Sequence, residues 1–233
     1  MHVPDGFFDA PTSVATGVVA AGAIAVALRG SRRELDERTA PLAGLAATFV
    51  FAAQMFNFPV GAGTSGHLMG GVLAAVLVGP FTAVLCLSVV LLVQALLFAD
   101  GGITALGTNV LLLGVVAVVV GWLVFRGLQA VLPKKIGLVA PLAALAAYVS
   151  VPVAALAFVG LYAVGGTAPI PLDSLATAML GWHAVIGLGE AVITGLVVGS
   201  VVATRPDLVY GARPVLGEHD LVLRNTRSSE VAA

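Results

Sequence analysis

Residues 104–125 read TALGTNVLLLGVVAVVVGWLVF, a run without a single formal charge. A helix rises 1.5 Å per residue, so a run of this length spans about 30 Å, the hydrocarbon thickness of a bilayer. Working outward, PFTAVLCLSVVLLVQALLF at 80–98 and the apolar stretch at 138–163 read the same way. Polar or Gly/Pro breaks divide the chain into seven spans, at 12–28, 40–56, 67–78, 80–98, 104–125, 138–163 and 182–203. The third is short for a full crossing, and Gly79-Pro80 marks a break or a bend between it and the fourth.

Composition agrees. Of 233 residues, 59% are hydrophobic and only 10% are charged, against roughly a quarter charged in a typical soluble domain. Mean hydropathy is +1.07. The expected fold is an all-α integral membrane protein, a bundle of about seven transmembrane helices. Alternating segments of about ten residues, the mark of a membrane β-barrel, are absent. A net charge of −1 gives no footing for nucleic acid. One cysteine, Cys86, excludes a disulfide within the chain. No phosphate-binding G-x-x-x-x-G-K-[ST] loop and no nucleophile elbow occur, so the chain is not expected to be an enzyme. Residues 1–205 are expected to form a single membrane-embedded domain. Residues 206–233, including His219, read as a polar cytoplasmic tail, partly disordered.

Basic residues set an expected orientation. Arg29, Arg32, Arg33 and Arg38 lie in the first connection, Arg126, Lys134 and Lys135 near another, and Arg205 after the last span. Seven crossings put all of them on one side, which the positive-inside rule makes cytoplasmic. The protein is then a multi-pass plasma-membrane protein with its N-terminus outside and its C-terminus inside. The N-terminus and the segments 57–66, 99–107 and 165–181 share the outer side and hold no Lys or Arg. There too fall His2, Asp5, Asn57, Ser65, His67, Asp100, Asn109, Asp173 and His183, as a vestibule of potential ligands.

The opening residues, MHVPDGFFD, suit metal binding. The α-amine of Met1, the backbone nitrogen of His2 and its ring Nδ1 can close fused five- and six-membered chelate rings. An all-nitrogen square-planar set suits Ni(II) or Cu(II), and imidazole also serves cobalt. Pro4 and Gly6 would turn the amino end back into the bundle. His67, at the outer start of a span, is the best fourth ligand. Asp100 could attract the cation or hold a ligand histidine, or be a solvated turn. Asn57, Ser65 and Asn109 more simply satisfy loop backbone. His183 and Glu190, seven residues apart, share a helix face; they read as a second metal site, a proton relay or an internal polar tie. The first two readings would serve an intramembrane metal-dependent hydrolase. A passive cation channel is a further alternative, but needs polar residues through the full depth of the bundle.

Four segments, MHVPDGF, FNFPVGAGTSGHLMGG, QALLFADGGITALGTN and HAVIGLGEAVIT, resemble the signature segments of substrate-capture (S) components of cobalt/nickel energy-coupling-factor (ECF) transporters, the CbiM/NikM family. The resemblance covers about residues 1–205 in order and spacing. It implies a seven-helix bundle with the N-terminal segment inserted into its outer side. It also implies a metal site of the Met1 amine, the His2 amide and ring, and His67, with Ni2+ or Co2+ as transported substrate and no organic cofactor. Partners so implied are a transmembrane coupling (T) subunit, ATP-binding cassette ATPases and a small membrane subunit supplied as a separate chain. Val3 stands where isoleucine is common in that family, and VGAG where a Pro-Gly pair is frequent.

Overall fold

The computed structural model describes residues 2–37, 39–61 and 64–217. Seven helices appear among these residues: α1 Ala10–Gly30, α2 Ala40–Gln54, α3 Gly71–Val78, α4 Pro80–Leu97, α5 Leu106–Val131, α6 Val139–Gly165 and α7 Leu172–Thr204. A short antiparallel hairpin, β1 Phe58–Gly61 with β2 Thr64–Gly66, joins α2 to α3. Five helices are long and apolar enough to cross a bilayer: α1, α4, α5, α6 and α7. Their outer faces carry Val14, Val18 and Leu28 on α1 and Val185, Leu188, Val192 and Leu196 on α7, each more than half exposed. Only lipid makes such a surface favourable. The chain is a multi-pass membrane protein.

The seven expected spans all contain helix, with three differences of extent. The span at 67–78 is helical only over Gly71–Val78, about 12 Å of rise and too short to cross by itself. Residues 67–70 precede it as non-helical chain, and all eight of its residues are buried in protein. Irregular backbone at membrane depth is tolerated only when so enclosed. Second, α7 begins at Leu172, ten residues before the expected 182, so only 166–171 remain of the loop assigned to 165–181. Pro171 at its N-cap and Asp173 in its first turn are ordinary helix-start residues. Third, a tail loosely ordered from Arg205 does not describe residues 206–217. Val209 and Ala212 are fully buried and Val215 nearly so, in one cluster with Val76, Phe125 and Val139. His219 lies outside the described residues.

The α3–α4 junction shows why a short helix is held in place. Gly79 has φ 99° and ψ 152°, a conformation open to glycine alone, and Pro80 follows at the first position of α4. The Glu34 carboxylate caps α4, accepting from the Phe81 amide at 3.1 Å, the Thr82 amide at 2.7 Å and the Thr82 hydroxyl at 2.9 Å. Glu34 is 2% exposed. Burial pushes its carboxyl above the ordinary range, and these donors offset part of that rise. A Cβ at residue 79 would lie 2.5 Å from the Glu34 side chain. Gly79→Ala should therefore destabilise the fold by about 1–3 kcal/mol from backbone strain alone. Thermal melting in detergent checks this, with Gly127→Ala, where a Cβ meets nothing within 4 Å, as control.

Candidate metal centre

Of the N-terminal segment, His2, Val3, Phe7 and Phe8 are buried, while Pro4, Asp5 and Gly6 are exposed. Val3 is completely buried, and Phe7 and Phe8 are 6% exposed, in a cluster with Phe158, Tyr162, Leu175 and Met179. The segment is stitched to two distant loops. Asn109 accepts a hydrogen bond from the Val3 amide at 2.7 Å and donates to the Val3 carbonyl at 3.1 Å. The Gly102 amide donates to the same carbonyl at 2.8 Å. Asp5 accepts from the amide and hydroxyl of Thr104, and those bonds hold its carboxyl below the usual range. On the other flank the Thr167 hydroxyl donates to the Gly6 carbonyl, the Thr167 amide to the Phe7 carbonyl, and the Asp9 amide to the Gly165 carbonyl. Gly102 has to be glycine: a Cβ there would run into the backbone of Pro4 and Asp5.

This stitching sets His2 against His67. Their rings stack with centroids 4.3 Å apart and planes at 21°. Both are buried, at 8% and 2% exposure. His67 Nδ1 donates to the Leu68 carbonyl at 2.7 Å, so its lone pair sits on Nε2, which has no hydrogen-bond partner. His2 Nδ1 lies 3.1 Å from Asp100 Oδ1. Asn57 in turn donates to Asp100 Oδ2 at 3.3 Å. Burial raises the Asp100 carboxyl, but the nearness of His2 and the Asn57 amide outweighs it and leaves the group below the usual carboxylate range.

The segment after His67 is fixed as firmly. Glu190 on α7 accepts from the Met69 amide at 2.8 Å and the Gly70 amide at 2.7 Å, and Gln54 donates to the Met69 carbonyl at 2.8 Å. The internal-tie reading therefore holds for Glu190. His183 Nδ1 bonds to the Met179 carbonyl at 2.7 Å. The pairing of His183 with Glu190 that a hydrolase or relay would use is not what these side chains do. The other half of the bundle is packed with apolar side chains such as Val72, Leu73 and Phe125, which suits a closed site better than a channel.

Among the described residues, no group of three or more His, Cys, Asp or Glu side chains could hold a metal. Met1, whose amine was expected to serve as a ligand, lies outside the described residues. Residues 2–208 match the family described as the cobalt uptake substrate-specific transmembrane region, CbiM. The chain belongs to that family. A protein of Haloquadratum walsbyi named for metal transport is 37% identical, with 90% of this chain and 94% of that one covered. The fused nickel transport protein NikMN of Rhodobacter capsulatus is 36% identical over 96% of this chain and 68% of its own length. A crystal structure of a truncated transition metal transporter superposes with a TM-score of 0.80 at 32% identity, covering 87% of this chain and 99% of that one.

Of the expected site residues, the CbiM-type fold brings His2, His67, Asp100 and Asn57 into one contact chain. Asn109 serves backbone, as its simpler reading held, and that backbone is the segment bearing His2. Ser65 lies in β2, paired with Pro59. His183 stands on the buried face of α7, with Nδ1 bonded to the Met179 carbonyl. Sequence reasoning passed over Gln54, Gly102, Thr104 and Thr167. A glutamine ending an otherwise apolar helix was the available signal for Gln54. Asn109→Ala would leave the buried Val3 amide without its acceptor and should cost about 1–3 kcal/mol. Thermal melting, with hydrogen exchange at the Val3 amide, checks this; Asn109→Asp, which keeps the acceptor but not the donor, should fall between.

Proposed function

We propose that this chain is the membrane subunit that captures Ni2+ or Co2+ for an ECF-type importer. The metal is bound from outside by the Met1 amine, the His2 amide and Nδ1, and His67 Nε2. One observation carries this reading: two buried imidazoles face each other at 4.3 Å, beside an N-terminal segment locked inside the bundle. His67 is already in the tautomer that offers Nε2, and the absence of a three-carboxylate or three-imidazole cluster among the described residues leaves main-chain nitrogen to complete the set. A deprotonated amide in a planar nitrogen set favours Ni(II) and tolerates Co(II), and rejects hard cations such as Mg2+ and Ca2+.

In this reading the metal is cargo. Asp100 and Asn57 sit at the mouth, where a carboxylate draws in a dication and helps strip its water. The N-terminal side faces outward and the Arg-rich connections face the cytoplasm. Passage inward requires a coupling subunit, ATP-binding cassette ATPases and a small membrane subunit, because no phosphate-binding loop is present here. The family name and the metal-transport names of relatives support the substrate class.

The decisive test is Ni2+ titration of protein whose first residue is Met1, beside a form carrying one extra residue before it and a His67→Ala form. Both changes should abolish tight binding while leaving the metal-free melting temperature nearly unchanged. Because every ligand nitrogen must lose a proton, affinity should also fall steadily on acidification. Unchanged affinity in the extended form would falsify the chelate.

A further inference from the structure

The Nε2 atoms of His2, His67 and His183 are all buried without a hydrogen-bond partner. The first two belong to the centre already described. The third lies on α7, and capture by the N-terminal chelate makes no use of it. His183 is fully buried. A bare lone pair in a membrane bundle is unfavourable unless something occupies it.

Its position is fixed from several directions. The buried stripe of α7 runs through Leu175, Met179, His183, Gly187, Glu190 and Thr194. Glu190 pins that stripe to the amides of Met69 and Gly70. Gly66 packs so closely on the same helix that a Cβ there would lie 2.6 Å from Ile186 Cδ1. Met179, one turn before His183, shares a core cluster with Val3 and Met69. Contacts on both sides of His183 thus reach residues on both sides of His67.

The two histidines are also set up alike. His67 donates Nδ1–H to the Leu68 carbonyl, and His183 donates Nδ1–H to the Met179 carbonyl, each at 2.7 Å. Each therefore carries its lone pair on Nε2. A histidine that merely ties helices together would point its second nitrogen at a partner. Here both rings use one nitrogen to fix their tautomer, as metal-ligating imidazoles do.

We propose that His183 Nε2 is a further nitrogen ligand, which with His67 forms an all-imidazole holding site for the ion once the N-terminal chelate lets go. The inference rests on the capture reading. Neutral imidazoles hold a dication less tightly than a chelate containing a deprotonated amide, so such a site supplies the weaker state that release requires. As the chelate lets go its metal–nitrogen bonds break, the His2 amide nitrogen takes back a proton from water, and a metal–nitrogen bond to His183 Nε2 forms.

The test uses Co2+ and the chain with one extra residue before Met1, which disables the chelate. That form should still bind Co2+ weakly, with the visible ligand-field absorption of imidazole coordination. His183→Leu and His183→Gln placed in it should each abolish that absorption, with melting temperatures followed alongside. If the extended form binds no Co2+, or if its weak binding survives both substitutions, the inference is overturned. If the extended form binds as tightly as the original, the capture reading fails instead, and loss of binding on changing His183 still decides the role of that residue. One readout needs no substitution at position 183. In the Co2+-loaded extended chain, paramagnetically shifted ring N–H protons should number two, from His67 and His183; a single one would overturn the proposal.

Discussion

Asn109 offers Val3 one acceptor and one donor, as the neighbouring strand of a sheet would. That bidentate contact is what allows an extended peptide to lie inside a membrane protein. Every amide and carbonyl removed from water there needs a partner, and lipid supplies none. A single side chain from α5 satisfies both main-chain groups of Val3 and fixes the position of the residue before it. The His2 ring can then meet His67 in one arrangement rather than many. Asp5 with Thr104, and Gly6 and Phe7 with Thr167, extend the same solution along the segment.

The polypeptide meets a similar difficulty at α3, and meets it with carboxylates. Glu190 accepts two amide hydrogens just before the helix starts, and Glu34 accepts two just after the break that ends it. A buried anion is expensive by itself, but amides at a helix start are oriented to receive one. Both ends of an eight-residue helix are therefore anchored by groups from other parts of the chain, α7 and the turn after α1. Since His67 precedes the first anchor by two residues, the rigidity of the helix start carries over to the ligand.

How much of this the sequence disclosed depends on the range of the interaction. Apolar runs are local, so the helices stood out, and so did the Gly79-Pro80 break. The early start of α7 was hidden because GGTAPIPLDSLATAMLG mixes turn residues with good helix formers, and hydropathy weighs the first more heavily than the second. The π-helical stretch Val110–Val116 and the hairpin at 58–66 carry no apolar period of their own, so nothing in a window of residues reports them. His2, His67 and Asp100 were legible because polar atoms are rare in such a chain. Their partners were not: Asn109 and Val3 are separated by 106 positions, and Glu190 and Met69 by 121. Glu190 was noticed as a buried charge, but its neighbour in sequence, His183, was the wrong guide to what it binds.

The threading of the first residues also imposes a schedule on biogenesis. Residues 3–9 bond to positions 102, 104, 109, 165 and 167. A ribosome makes the opening peptide first, so its last bonds must wait until position 167 has been made and inserted. Closure of the bundle is thus a late, long-range event, of the kind that loop-closure entropy makes slow. Assembly of the helices and completion of the pocket are separate steps in the life of this molecule, and the second cannot finish until α6 and the loop after it have emerged.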